Sequence, residues 1–172
     1  MKKLIALILS LVLVFSITAT VSADGDKTGS MTLTAEIPAP SYTIHIPADF
    51  TLEYGNTEKQ EIGAVYVTDV KDCNRIVVKG SCTALVNTAD PADKISLVLY
   101  NRYDVVNVFK ECSDAVNEIM YEKEFAGSAI YPQYDANGYC RVIYAAEVSD
   151  WSGATAGATY QSTVTFNFKV KE

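Results

Sequence analysis

The stretch W-S-G-A-T-A-G-A-T-Y-Q-S-T-V-T-F-N-F-K-V, residues 151–170, decides the fold. A loop of small residues leads into unbroken alternation. Val164, Phe166, Phe168 and Val170 share one face; Thr163, Thr165, Asn167 and Lys169 share the other. Period two, carried by β-branched and aromatic residues, is the pattern of a half-buried strand. It runs to within two residues of Glu172, so the terminus is expected to be tied into a sheet.

Outward from there the same pattern recurs. Tyr139 to Val148 reads as a strand with Cys140, Val142, Tyr144, Ala146 and Val148 on one side. Ile62–Val70 is a second. Arg75–Val86 is a third, with Ile76, Val78, Cys82, Ala84 and Val86 on one parity. Ile95–Tyr100 is a near-continuous apolar run suited to a central strand. Shorter alternations span Met31–Ile37, Tyr42–Ile46 and Phe50–Tyr54, and prolines at 38, 40 and 47 stop the first two. Asp72-Cys73-Asn74 has turn chemistry, and Gly127–Gly138 reads as a loop.

One segment points two ways. Val105, Phe109, Cys112, Val116 and Ile119 fall at helical spacing, with Asp104 placed to cap, while Ile119, Tyr121 and Phe125 alternate as in a strand. The expectation is a short helix or irregular crossover near 105–116, then a strand to Phe125. With about eight to ten short strands and little helical signal, the chain is expected to be all-β, an immunoglobulin-like antiparallel β-sandwich.

Residues 1–23 read as an export signal. Lys2 and Lys3 precede an apolar run, Leu4–Ile17, and Val21-Ser22-Ala23 puts small residues at the cleavage positions. The run is shorter than the roughly 18–20 residues a bilayer-spanning helix needs. The mature chain would begin at Asp24, with a flexible 24–29 and one domain over 30–172. Removing 23 of 172 residues leaves 149, enough for one real core. The leader takes two lysines, leaving 12 basic and 21 acidic side chains and a formal charge of −9. Such a surface argues against nucleic acid and anionic lipid as partners. A secreted or cell-surface location follows. The absence of a sorting motif before an apolar tail argues against covalent attachment to a wall.

Four cysteines fall in the mature chain: Cys73, Cys82, Cys112 and Cys140. An even count in an exported chain suggests two disulfides, with three connectivities open. The parity of Cys82 and Cys140 favours pairing these two across the core; free buried thiols are the other reading. No C-x-x-C spacing marks a zinc site.

Catalytic signal is sparse. His45 is the single histidine and falls on the outward parity of its strand. No G-x-S-x-G occurs, and a glycosidase would need two facing carboxylates about 5–10 Å apart that no local pattern specifies. Asp135-x-Asn137-Gly138 echoes a calcium loop but lacks its terminal glutamate, so a tight Asn-Gly turn is the simpler reading. No enzyme and no cofactor is expected. Around that turn, Tyr131, Tyr134 and Tyr139 could stack on sugar rings while Gln133, Asp135 and Asn137 bond hydroxyls. The competing reading has the rings capping the open end of the core. Trp151 carries the same two readings, with core packing favoured.

S-Y-T-I-H-I-P-A at 41–48, V-Y-V-T-D-V at 65–70 and R-I-V-V-K-G at 75–80, with the Trp-led close at 151–166, carry a family likeness. The chain resembles small secreted Gram-positive surface proteins of the WxL type, and spore-coat-U and fimbrial-subunit sandwiches. The likeness covers about half the mature chain, at its ends. It implies a cell-surface or matrix role, with glycans of the wall or matrix, or other surface proteins, as partners. Trp151 is followed by Ser152-Gly153, where a WxL domain has a leucine two residues after Trp. Pilus-type sandwiches also suggest that 30–37 could complete a neighbour's sheet; a first strand of its own sandwich is the simpler reading. The expected function is a non-catalytic structural, adhesive or assembly protein, the alternative a carbohydrate-binding module.

Overall fold

A computed structural model describes residues 39–113 and 118–171. The export signal, 24–29, the alternation at 30–37 and Val116 lie outside the described residues.

Eleven strands occur among the described residues: β1 (Ser41–His45), β2 (Gln60–Lys71), β3 (Arg75–Cys82), β4 (Leu85–Asn87), β5 (Lys94–Ile95), β6 (Val98–Tyr103), β7 (Lys110–Glu111), β8 (Glu118–Glu122), β9 (Val142–Glu147), β10 (Tyr160–Gln161) and β11 (Val164–Lys171). Helix among them is limited to one 3-10 turn, Lys123–Phe125. A five-stranded antiparallel sheet runs β1-β2-β9-β6-β7. Opposite it stand two three-stranded sheets, β11-β3-β8 and β10-β4-β5. The all-β sandwich expected from alternation is the observed architecture.

The closing stretch folds as its pattern predicts. β11 pairs with β3 along its whole length, from Val164 opposite Cys82 to Lys171 opposite Arg75. Its Val and Phe residues are half-buried and the intervening Thr, Asn and Lys are exposed. Phe166 stands edge-on to Tyr144 at 4.8 Å. The main core fills the space between the sheets with Val65, Val67, Ile76, Val78, Leu99, Met120, Val142 and Tyr144. Leu85, Ile95 and Val148 form a second, smaller core beneath the β10-β4-β5 sheet.

Gly80 sits directly against the ring of Tyr144 from the facing layer. A Cβ there would collide with the ring of the fully buried Tyr144. No larger residue fits this point of β3 without moving an aromatic ring.

Four expectations are corrected. The run from Arg75 to Val86 is not one strand: Thr83 and Ala84 interrupt it. Thr83 N donates to Thr163 O (3.1 Å), and Ser162 Oγ donates to Thr83 O (2.7 Å). The break shifts the parity, so Leu85 and Asn87 are buried where Ala84 and Val86 were expected. Ile95–Tyr100 likewise divides, with β5 and β6 in different sheets.

Phe50–Tyr54 is not a strand. Its Glu53 N–H goes to the Gln60 side chain (2.8 Å) rather than to a ladder, and Asn56 N closes a turn on Glu53 O (3.2 Å). Phe50 and Tyr54 are exposed.

The helical spacing from Val105 does not produce a helix over 105–113. The chain turns at Asp104–Val105 and returns as the two-residue β7, whose Glu111 pairs with Tyr100. Cys112 N then donates to Leu99 O at 2.8 Å. Backbone groups that a helix would satisfy locally are satisfied by β6, and Val105, Val106 and Val108 stay exposed.

Candidate binding site

The loop after β8 is pinned at both ends. Glu122 N donates to Gly138 O (3.0 Å), Lys123 N to Asn74 O (3.0 Å) and Asp135 N to Tyr139 O (2.9 Å). Tyr121 and Tyr139 form an isolated antiparallel bridge. Asp135 organises the tip: its Oδ1 accepts from Asn137 N at 2.7 Å and from Tyr139 N at 3.0 Å. This is an Asx-type turn, the local bonding that makes Asp a turn residue. Gly138 completes it with φ +82°, and a Cβ there would lie 2.6 Å from Glu122 O.

That framework divides the three tyrosines. Tyr134 is buried and stands edge-on to Phe125 at 5.2 Å. Tyr139 is half-buried; its hydroxyl accepts from Val70 N (3.1 Å) and its ring tilts against Tyr121 at 5.3 Å. Both rings close the end of the core. Burial pushes the Tyr134 hydroxyl well above the usual phenol range. Tyr131 alone of the three is displayed: it is 37% exposed and stacks on Phe125 at 3.9 Å and 23°. Beside it Ile130 is 81% exposed. Ser128 Oγ accepts from Ile130 N (3.3 Å), and Tyr134 N donates to Tyr131 O (3.0 Å), so the tip is held rigidly.

Of the residues expected to bind, the structure brings Tyr131, Asp135 and Asn137 to the surface. One oxygen of Asp135 is committed to the turn, and Tyr134 and Tyr139 face inward. Phe125 and Ile130 were not singled out in the sequence. Phe125 ends an alternation, so its pattern marked it as a strand residue rather than as a base for Tyr131.

At the foot of the loop lies an open cleft of about 560 Å³, lined by Asn74, Arg75, Glu122, Lys123 and Glu124. Glu122 is buried and bonds the Arg75 Nε. This pairing holds the guanidinium charged more firmly than usual. Cationic donors and carboxylate acceptors thus share this cleft, and Glu124 on its rim directly precedes Phe125 in the chain. Such a rim can hold a polar ligand with a flat apolar face.

The outer face of the five-stranded sheet is different. Arg141 lies over Tyr66 (5.4 Å), Arg102 over Phe109 (5.1 Å) and Lys59 over Tyr100 (4.3 Å). Each of these rings already carries a cation. His45 belongs to this face: it stacks on Tyr66 at 4.4 Å and 6°, and its Nε2 lies 3.0 Å from Thr68 Oγ1. Trp151 packs against the second core and donates its Nε1–H to Asn56 O at 3.0 Å.

All four cysteines are thiols in this structure. The pairing of Cys82 with Cys140 is ruled out by register. Cys140 N donates to Met120 O, and Met120 lies between Tyr121 and Ile119, the partners of Ile76 and Val77. Cys82 is five residues past Val77 on β3, roughly 17 Å along an extended strand. Bonded cysteines need Cα atoms within about 7 Å. Shared parity placed both residues toward the core but at opposite ends of it.

Among the described residues, no three His, Cys, Asp or Glu side chains converge as a metal site, and no helix is long and apolar enough to cross a membrane. No family model matches the chain, and no curated protein matches it.

Proposed function

We propose that the chain is an exported, non-catalytic binding or assembly protein of the cell surface or extracellular matrix. The observation that supports this best is the loop tip. An exposed Ile130 and Tyr131 are held on a stacked Phe125 and a pinned turn, so apolar surface is displayed at little entropic cost. The likeness to WxL-type and fimbrial sandwiches points the same way.

The partner this geometry suits best is a glycan. Tyr131 offers a ring face for stacking, and the cleft at the foot of the loop supplies Arg75, Lys123 and Glu124 for hydroxyls. Sedimentation with purified cell walls and a glycan array, run on wild type, Tyr131→Ala and Tyr134→Ala, tests both readings. Tyr131→Ala is expected to lower affinity at least tenfold with the melting temperature nearly unchanged. Tyr134→Ala is expected to cost about 3 kcal/mol of folding stability. Concentration-dependent self-association without glycan binding would favour the assembly reading. Turnover of glycosides or peptides that is lost in His45→Ala would sink both.

A further inference from the structure

Cys82 closes β3, and Cys112 directly follows β7, on the opposite layer of the sandwich. Both meet the same part of the chain, the entry to β6. Cys82 Sγ lies 3.6 Å from Leu97 O, and Cys112 N donates to Leu99 O at 2.8 Å. Residues two apart on extended backbone are separated by roughly 7 Å. Both cysteines also line one open cleft of about 290 Å³, with Ser81, Leu97 and Leu99. Room for rotation therefore exists between them. The Cys112 sulfur is turned toward Asn101, whose Nδ2 lies 3.3 Å away. In turning into the cleft it shares with Cys82, the Cys112 sulfur would give up that weak bond.

The other two cysteines are out of reach of Cys82. Cys140 lies at the level of Ile76 and Val77, and Cys73 precedes Arg75, itself seven residues and roughly 23 Å along β3 from Cys82. We propose that Cys82 and Cys112 are the disulfide pair of the oxidised chain, joining the two layers of the sandwich. In the cell this rests on the export reading, because an oxidising compartment is needed.

The chemistry is thiol–disulfide exchange with oxidised glutathione or an exported thiol–disulfide oxidoreductase. Two S–H bonds break and one S–S bond forms. The oxidant's S–S bond breaks, and the two electrons and, by way of solvent, the two protons pass to its sulfurs, giving two thiols. Burial raises both thiols, Cys112 to about 11, so Cys82 is the better first nucleophile and exchange quickens as pH rises from 7 toward 9.

The four cysteines fall in four different tryptic peptides, with Cys82 in 80–94 and Cys112 in 111–123. The purified chain is equilibrated with oxidised glutathione, alkylated, digested without reductant and mapped by mass spectrometry. The expected result is a monomer with 80–94 linked to 111–123. Its melting temperature should exceed that of the reduced protein by roughly 10 °C. Cys82→Ser and Cys112→Ser should each abolish that increment while matching the reduced wild type. A link from Cys82 to the Cys73 or Cys140 peptide, or four alkylated thiols, would overturn the pairing. A second arm maps the protein taken from its producing culture. Free thiols there, beside a correct link formed with glutathione, would uphold the pairing and count against export.

Discussion

The Tyr160 hydroxyl donates to Asp93 Oδ2 at 2.5 Å, across 67 residues of chain. Two further donors converge on the same oxygen, Thr155 Oγ1 and Asn87 Nδ2, each at 2.8 Å. The bond ties the start of β10 to the end of the β4–β5 connection.

These donors hold the Asp93 carboxyl below its ordinary pKa, with Tyr160 the largest cause. A depressed folded pKa means that the stabilisation is whole above about pH 4 and is lost as pH falls through the folded value. Asp93→Asn should lower the melting temperature at pH 7 by about 5 °C. The gap from wild type should narrow as pH falls from 4 toward 2.5. A gap of constant size in calorimetry from pH 7 to pH 2.5 would contradict the assignment.

Gly80→Ala should destabilise the fold by about 2 kcal/mol. The new methyl meets the edge of the Tyr144 ring, which is rigid and fully buried, so either β3 or the ring must shift. Urea denaturation measures the loss. An unchanged midpoint would show that the two layers are less tightly opposed at this point than described.

Cys140 should be the slowest thiol to alkylate in the native protein. It is 2% exposed, and burial pushes its pKa up to about 12. A folded pKa raised above the unfolded value contributes stability that is whole below about pH 8.5 and fades as pH rises toward 12. Cys140→Ala should therefore lose less stability relative to wild type at pH 10.5 than at pH 7. Iodoacetamide labelling read by mass spectrometry, with melting curves at the two pH values, checks both statements. Native-state labelling of Cys140 as fast as that of Cys82 would refute the first.

Where alternation was long it was a faithful guide. Val142, Tyr144, Ala146 and Val148 are buried as their parity predicts, and Phe166 and Phe168 lie on the inner face of β11. Where a partner strand intervened it was not. The parity of the run after Arg75 switches at Thr83 because β10 and β11 bond it through an irregular join. Val105, Phe109 and Cys112 fit a helix by spacing, yet their segment is claimed by the edge of β6. At the candidate site, the cluster of tyrosines was legible. Which one faces outward was not, because Phe125 and the bonds of Asp135 set their directions.

The sequence by itself determined the inner face of β11, where half-buried and exposed residues strictly alternate, since side-chain period is a property of the backbone at every second residue. It also determined the turn at Asp135–Gly138 through a carboxylate that bonds its own neighbours. Tertiary structure alone decided what lay opposite: that Tyr144 faces Gly80, that Asp93 meets Tyr160, and that Cys82 shares the entry to β6 with Cys112 and not the core with Cys140. Those choices depend on strand register and sheet order. Both arise when distant segments compete for the same backbone hydrogen bonds and the same apolar space.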